Sequence, residues 1–260
     1  MDFSTVLYEK NGPVATITLN RPDVYNAFND DQSYGLQTAL KEAKKDEEVR
    51  VLVLTGAGKA FCSGQDLKAI SDCKNRSLAE SLHKRYNPII KIMREMPKPI
   101  IGRINGVAAG AGASLAFACD FIIAAQNTSF IEIFIQVGLV PDSGSSYFLS
   151  KSLSAARAFE MASMAPKISA QQALEWGLIN RVAPLELIDE EVKKATDYYS
   201  QAPTKAIGMI KKMLAKAGHT SLSTQLEYEA YCQEIAGATS DYTEGVAAFV
   251  EKRKPVFKGK

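Results

Sequence analysis

Two glycine-rich segments have residue types and spacing that could hold an anionic group. Residues 55–60, Thr-Gly-Ala-Gly-Lys-Ala, are similar to a phosphate-binding loop. However, their glycines are too close together, and Ala60 replaces the Ser or Thr that would bind Mg²⁺. Residues 110–115, Gly-Ala-Gly-Ala-Ser-Leu, lack the third glycine of a dinucleotide-binding fingerprint. Two interpretations of residues 110–115 stay open: close packing of a helix on a sheet, or backbone N–H groups directed at a negative oxygen.

The residues that commonly bind metals are few and scattered. The histidines, His83 and His219, are far apart, and no two cysteines form a Cys-x-x-Cys pair. The cysteines are Cys62, Cys73, Cys119 and Cys232. We therefore expect no zinc site and no disulfide framework.

Composition restricts the protein class without indicating a reaction. The chain has 260 residues, of which 46% are hydrophobic and 23% charged, and this is typical of a globular protein. Its net charge of +2 argues against nucleic acid as the main partner. The sequence shows neither a signal peptide nor an apolar run of about 18 residues, so we expect a cytosolic protein with no membrane contact.

The elements that must position these loops alternate between strands and helices. Apolar patterns predict strands at 14–19, 49–54, 100–104 and 121–125, with helices at 30–45 and 78–96. This succession predicts an α/β fold with a largely parallel sheet. Beyond Pro141 the pattern becomes mainly helical. The helices predicted there are 155–165, 170–176, 189–200, 204–217 and 222–252.

Several motifs in register resemble the crotonase (enoyl-CoA hydratase/isomerase) superfamily over the whole chain. They are Asn20-Arg21-Pro22 followed by Asn26-Ala27-Phe28, the loop Ala60-Phe61-Cys62-Ser63-Gly64-Gln65-Asp66-Leu67, and the segments at residues 98–101, 105–108, 119–120 and 173–178. The sequences at residues 86–88, 140–144 and 240–253 are similar to one branch, the isomerases of phenylacetate degradation that act on ring-epoxidised phenylacetyl-CoA.

This resemblance implies a crotonase-like ββα-superhelix core over residues 1–195 and a helical C-terminal region over 196–260 that assembles the protein as a homotrimer or a dimer of trimers. It also implies a CoA thioester whose carbonyl oxygen lies between the N–H groups of Ser63 and Ala111. Removing a proton beside a thioester places charge on that oxygen, which such donors stabilise. CoA arrives as part of the substrate, and no separate cofactor or metal is expected.

The resemblance further implies residues that bind the substrate, with Gln65, Asp66 and Leu67 on the adenine side of CoA. The full set is Ala27, Phe61, Gly64, Gln65, Asp66, Leu67, Gly110, Phe134, Pro141 and Lys252. Arg21 and Lys68 are further candidates for contact with the CoA phosphates.

The carboxylates distinguish two reactions. Hydratases of the superfamily use two glutamates to split water, and the corresponding positions here hold Ser114 and Phe134. Asp142 occupies the position at which isomerases carry an acidic residue, although an aspartate after a proline is also common in turns. Glu132 could replace a missing glutamate or could be a solvated loop carboxylate.

We therefore predict an acyl-CoA isomerase that shifts a double bond, or rearranges a ring epoxide, with Asp142 moving the proton. The first alternative is an enoyl-CoA hydratase that adds water to a trans-2-enoyl-CoA. A remote alternative is a non-catalytic homologue that binds RNA or a protein partner. The sequence Ser-Gly-Ser-Ser at residues 143–146, where relatives often have a second glycine, leaves the shape of the acyl group open.

Overall fold

The computed structural model describes residues 2–68 and 77–260, and Cys73 lies outside these ranges. The described residues form two β-sheets surrounded by helices. The strands are β1 (Asp2–Phe3), β2 (Val6–Asn11), β3 (Val14–Leu19), β4 (Val51–Gly56), β5 (Ala60–Cys62), β6 (Ile100–Ile104), β7 (Val107–Ala109), β8 (Phe121–Ala125), β9 (Ser129–Ile131), β10 (Ile168–Ser169) and β11 (Arg181–Ala183).

The larger sheet has the strand order β1-β2-β3-β4-β6-β8-β11. Its strands are parallel from β3 to β11, and β1 and β2 form an antiparallel edge. All six residues of β4 are buried, as the continuous apolar run at 49–54 predicts for a strand covered on both faces. The predicted α/β fold with a largely parallel sheet is therefore confirmed.

The smaller sheet has the order β10-β9-β7-β5 and was not predicted. Along the chain, β4, β6 and β8 of the larger sheet are each followed directly by β5, β7 and β9 of the smaller one. Each turn of the chain thus adds one strand to each sheet before a helix follows. The strands of the smaller sheet have only two or three residues, which is too short for a period of two to be recognised in the sequence.

Helices cover both sheets and form most of the C-terminal third. They are α1 (Asp30–Lys45), α2 (Leu78–Ser81), α3 (Asn87–Glu95), α4 (Ala111–Phe117), α5 (Ser145–Ser152), α6 (Ala155–Met164), α7 (Ala170–Glu175), α8 (Ile188–Gln201), α9 (Thr204–Ala217), α10 (Leu222–Gly237) and α11 (Ser240–Val250). A π-helical turn at Leu82–Tyr86 joins α2 to α3. No helix among the described residues is long and apolar enough to span a membrane.

Two details differ from the predicted helices. The single helix expected at 222–252 is two helices, because Thr239 caps α11 by accepting a hydrogen bond from the amide of Tyr242. Helix α8 runs across the predicted boundary between residues 195 and 196, and it packs on β4, β6, β8 and β11. The division into core and assembly region stays a prediction.

Candidate active site

Two loops that follow neighbouring strands of the smaller sheet meet at one place. Cys62, the last residue of β5, pairs with Ala108 of β7. A Cβ atom on Gly112 would lie 2.1 Å from the carbonyl oxygen of Cys62, so only glycine permits this approach of α4 to β5. Gly64 has φ of +94°, and a Cβ there would lie 3.6 Å from the amide nitrogen of Ala111. The glycines therefore bring the two loops into contact.

Asn26 explains why the first of these loops keeps its shape. Its side chain is fully buried, its Oδ1 accepts from the amide of Arg21, and its Nδ2 donates to the carbonyl oxygens of Ala57 and Ala60. The residue itself has a positive φ of 57°. Asn26 thus has a structural function, because it satisfies buried backbone groups of a sharp turn.

The structure corrects the assignment of Ser63 as an oxyanion donor. Its amide N–H donates to the carbonyl oxygen of Tyr25 at 3.0 Å, so it is not available to a substrate. Phe28 pairs with Gln65 in a short parallel bridge, in which the carbonyl of Gly64 and the amide of Asp66 bond to Phe28. The intervening N–H of Gln65 points to the other side and has no hydrogen-bond acceptor among the described residues.

Ala111 supplies a second backbone amide without an acceptor among the described residues. It is the first residue of α4, where the amides lack partners within the helix. The preceding Gly110 has φ of +52° and donates its own N–H to Ile131 at 2.9 Å. The predicted role of Ala111 stays compatible with the structure, and on the other loop the amide without an acceptor is that of Gln65 rather than Ser63.

Asp142 lies in a turn with two successive residues at positive φ, Ser143 at 52° and Gly144 at 82°. Such a turn is costly unless its surroundings hold it in place. The Ser143 hydroxyl donates to Oδ1 of Asp142 at 2.7 Å, and the Ser145 amide donates to the Asp142 carbonyl at 3.0 Å. Burial raises the pKa of the Asp142 carboxyl, and the bond from Ser143 offsets part of this increase.

Ser114 connects this turn to the glycine-rich loop. Its fully buried Oγ lies 3.1 Å from the carbonyl oxygen of Asp142 and 3.2 Å from that of Gly110. A hydroxyl has one proton to donate, so it can serve one of these oxygens at a time. The residue at the position of a hydratase glutamate therefore holds the backbone of Asp142.

Glu132 is fully buried, so its interpretation as a solvated loop carboxylate is wrong. Among residues 2–68 and 77–260, neither of its carboxyl oxygens has a hydrogen-bond partner, and the same is true of the Ser145 hydroxyl. Burial raises the pKa of Glu132 to about 7, and the charge of Asp142 adds to the increase. Glu132 lies close enough to Asp142 for the two carboxyl groups to affect each other.

The predicted pocket residues divide into two groups. Phe134 is buried, and its ring lies against Gly110, where a Cβ would be 3.7 Å from Cζ. Pro141 precedes the Asp142 turn and is half-buried. In contrast, Phe61 is completely buried in the hydrophobic core and Ala27 is almost so. Their contact with substrate stays a prediction.

Only some of the residues that were predicted to contact CoA lie close to one another in the structure. Asp66 pairs with Arg21 at 3.0 Å, whereas the neighbouring Leu67 is 61% exposed. The amide of Lys68 donates to Oδ1 of Asp66. Lys252 is exposed at the end of α11, and its amide bonds to Phe249. None of its recorded contacts reaches the other site residues.

Tyr86 is a residue that the sequence did not indicate as functional. Its hydroxyl donates to Oε1 of Gln65, and it is 95% buried. The charge of Asp142 contributes to a raised pKa of Tyr86, whose main cause is burial. The only available signal was its place in the Tyr86-Asn87-Pro88 motif. Within residues 2–68 and 77–260, no three metal-ligating side chains lie close enough to hold an ion.

The chain is similar to known proteins both in sequence and in structure. The sequence model of the family described as enoyl-CoA hydratase/isomerase matches residues 9–260. A 1,2-epoxyphenylacetyl-CoA isomerase of Escherichia coli K12 is 40% identical, with 100% of both chains covered. A protein of Rhodobacter capsulatus named "probable enoyl-CoA hydratase" is 38% identical, again over 100% of both chains.

Solved structures show the same architecture. The crystal structure of an enoyl-CoA hydratase from Polaromonas sp. JS666 superimposes with a TM-score of 0.90 at 33% identity. The alignment covers 97% of this chain and 99% of that one. The predicted crotonase-like fold is therefore confirmed, while the names of the similar proteins include both isomerases and hydratases.

Proposed function

The chain belongs to the enoyl-CoA hydratase/isomerase family, and from that premise we propose that it is an acyl-CoA isomerase that uses Asp142 to move a proton. The reaction shifts a double bond along the acyl chain or rearranges a ring epoxide, as the name of the Escherichia coli relative describes for that protein. The family is described by both reactions, hydration and isomerisation. The choice between the two reactions therefore rests on the carboxyl groups.

The observation that carries this choice is the replacement of both hydratase glutamates. Ser114 is engaged with the backbone of Asp142, and Phe134 is an apolar side chain packed on Gly110. Neither can activate a water molecule. Asp142 is a carboxylate that is only partly buried. Its turn contacts α4, the helix that begins at Ala111, because Ser114 Oγ lies 3.1 Å from the Asp142 carbonyl oxygen. A single base that removes a proton at one carbon and returns it at another is sufficient for isomerisation.

The amides of Gln65 and Ala111 stabilise the negative charge of the enolate. Proton removal beside the thioester moves charge onto its carbonyl oxygen, and both amides lack another acceptor in the described part of the chain. Each well-placed donor of this kind lowers the barrier by about 3–4 kcal/mol. Since the donors belong to the backbone, small residues at both loops are sufficient.

The environment of Asp142 suits a base. Burial raises its pKa above the ordinary value of 3.8, so its carboxylate holds a proton more strongly than a solvated one. The rate should decrease as the pH falls through this raised pKa, because protonated Asp142 cannot abstract a proton. The acid limb of kcat/KM then lies above the ordinary range of an aspartate.

The test is isomerisation of a β,γ-unsaturated acyl-CoA by the wild type, Asp142→Asn and Asp142→Glu. We expect Asp142→Asn to reduce kcat by about 10³-fold, within the range for loss of a general base, with a small change in KM. Asp142→Glu should retain part of the activity. Undiminished isomerisation by Asp142→Asn would exclude the proposal.

One observation favours hydratase activity as a second candidate. Glu132 and Asp142 form a pair of neighbouring carboxyl groups with raised pKa values, and water addition needs two such groups. Hydration of crotonyl-CoA that is lost in both Glu132→Gln and Asp142→Asn would support this function. Hydration by neither the wild type nor the variants would exclude it. Absence of any acyl-CoA turnover would instead favour the binding role for RNA or a protein partner.

Substrate binding follows from the same proposal. We place the adenine of CoA beside Gln65, Asp66 and Leu67, and we expect Lys252 to reach a CoA phosphate only when chains assemble. The proposed assembly is a homotrimer or a dimer of trimers, with contacts made by residues 196–260. CoA enters as part of the substrate, and the proposed chemistry uses no metal or redox cofactor. Analytical ultracentrifugation tests the assembly independently of the reaction.

A further inference from the structure

The side chain of Gln65 is held at both ends of its amide group. Nε2 donates to the carbonyl oxygen of Phe28 at 2.8 Å and also lies 3.3 Å from the carbonyl of Asp66. Oε1 accepts the hydroxyl proton of Tyr86. The side chain therefore connects its own loop to two other segments of the chain. One is the segment between β3 and α1, which contains Phe28, and the other is the turn between α2 and α3, which contains Tyr86.

Tyr86 is itself fixed by its surroundings. Its ring makes an edge contact with Phe28, with 5.4 Å between the centroids, and the Arg85 guanidinium lies 5.4 Å from its centroid. The residue ends the π-helical turn at Leu82–Tyr86, and such turns often occur at functional sites. A buried hydroxyl on a rigid ring holds its acceptor in one place, because the ring has few alternative rotamers.

We propose that Tyr86 is a positioning residue that fixes Gln65 so that the backbone N–H of Gln65 faces the thioester oxygen. This inference rests on the proposed function, since it concerns the same enolate. Tyr86 does not touch the reacting atoms in this arrangement. It acts through the side chain of Gln65. The hydrogen bonds between that side chain and Phe28 and Tyr86 prevent the loop from turning the backbone N–H of Gln65 away.

Two features of the site agree with this role. The amide that follows Gln65 is already committed, since Asp66 donates its N–H to the carbonyl oxygen of Phe28. Gly64 has a φ that few other residues adopt, so the loop depends on contacts for its conformation. The bond from Tyr86 supplies such a contact on the side chain of Gln65, whose backbone N–H has no acceptor among the described residues.

The experiment measures enolate formation separately from the complete reaction. A saturated acyl-CoA is incubated in D₂O, and exchange of its C2 hydrogens is followed by NMR alongside isomerisation kinetics. We expect Tyr86→Phe to lower both the exchange rate and kcat by about 10- to 100-fold, because a small displacement of a catalytic donor has effects of this size. KM and the Kd of the saturated acyl-CoA should change little.

A double-mutant cycle separates positioning from general stability. Gln65→Met removes the acceptor of the Tyr86 hydroxyl, so Tyr86→Phe should have no further effect in that background. Tyr8→Phe is the matched control, because it removes another buried hydroxyl, one with no hydrogen-bond partner in the described chain. We expect this control to leave exchange and kcat unchanged.

The outcomes distinguish the two proposals. Exchange by the wild type that is unaffected by Tyr86→Phe overturns the role of Tyr86 alone. Equal effects of Tyr86→Phe in the wild-type and Gln65→Met backgrounds also overturn it, since the role would then not depend on Gln65. If the wild type neither exchanges nor isomerises, and Asp142→Asn behaves like it, the proposed function itself fails.

Discussion

Asp120 and Asp142 are both acidic side chains partly withdrawn from solvent, and their surroundings differ. Asp120 lies before β8 and receives hydrogen bonds from two cationic side chains and one amide. Its Oδ2 accepts from Lys211 at 2.6 Å and from the amide of Ile100 at 2.9 Å, and its Oδ1 accepts from Arg94 at 2.8 Å. The Asp120 carboxylate is therefore matched in charge and in hydrogen-bond geometry by its neighbours.

Asp120, Arg94 and Lys211 form a first cluster, in which the ammonium group of Lys211 is also fully engaged in hydrogen bonds. Its Nζ also donates to the carbonyl oxygens of Met93 at 2.7 Å and Lys98 at 3.3 Å. Burial lowers the pKa of Lys211, and the ion pair with Asp120 opposes this effect. Since Lys211 belongs to α9, the cluster fastens a C-terminal helix to the loop before β6.

The second cluster, Asp142 with Glu132 and Ser145, has the opposite character. Within the described part of the chain, no cation contacts either carboxyl group and Glu132 has no hydrogen-bond partner. Burial raises the pKa of both acids. A buried carboxyl without a partner destabilises a fold, so such groups are concentrated where proton transfer requires them.

The comparison indicates that pairing, rather than burial alone, distinguishes the structural cluster around Asp120 from the cluster that contains the proposed base. A paired cluster should stabilise the fold by an amount that changes little with pH, and removal of one partner should strongly lower the free energy of unfolding. With an unpaired cluster, the free energy of unfolding should depend on pH, and the protein should become more stable when the charge of the cluster is removed. These opposite signs can be measured.

The largest effect is expected for Lys211→Met. This substitution leaves the Asp120 carboxylate partly unpaired and removes three donors from buried acceptors, so we expect a loss of about 3–5 kcal/mol in the free energy of unfolding. Urea unfolding monitored by circular dichroism gives this value.

Lys212→Met on the same helix is the matched control for that variant, since Lys212 is exposed. It should change the free energy of unfolding by less than about 0.5 kcal/mol. Equal stability of the two variants would mean that the paired cluster does not hold α9 in place.

The next effect is expected for Glu132→Gln and depends on pH. The folded state keeps Glu132 protonated up to about pH 7, whereas the unfolded chain ionises near 4.5. The folded state thus binds more protons in this window, and stability falls as the pH rises from about 4.5 to 7. At about 1.4 kcal/mol per pH unit, the loss approaches roughly 3 kcal/mol. Glu132→Gln should abolish this decrease and be more stable than the wild type at pH 8.

Glu47→Gln provides the control for this pH series, because Glu47 is an exposed carboxylate. It should keep the wild-type dependence of unfolding free energy on pH. Parallel curves for the wild type and Glu132→Gln would show that Glu132 is ionised at the same pH in both states.

Much of the fold could be predicted because its elements have long periodic patterns. Strands β3, β6 and β8 and helix α1 begin and end at the predicted residues. The smaller sheet could not be predicted, since β5, β7 and β9 have three residues each and are defined by long-range pairing. Similarly, the break between α10 and α11 depends on a single capping threonine within a continuous helical pattern.

The sequence predicted which loops form the candidate site. Motifs located both loops and Asp142, but the direction of individual N–H groups follows from the pairing of Phe28 with Gln65, which sequence spacing does not reveal. The environment of Glu132 could not be predicted either, because the burial of a single loop residue depends on the elements that pack around it in three dimensions. The link from Tyr86 to Gln65 joins residues 21 positions apart and has no local signal.

The smallest expected effect is the gain in stability of Asp142→Asn. Burial raises the pKa of the Asp142 carboxyl, so its ionised form destabilises the folded state relative to the unfolded chain. The neutral amide removes this cost, and we expect a gain of about 1 kcal/mol at pH 8 in an enzyme with little activity. At a pH well below 3.8 the gain should vanish, because both states then carry a protonated acid. Asp120→Asn should have the opposite sign at pH 8, since it removes half of an ion pair that Lys211 and Arg94 require. If both substitutions destabilise the protein at pH 8, Asp142 is held by compensating contacts, and its turn is a structural feature as much as a catalytic one.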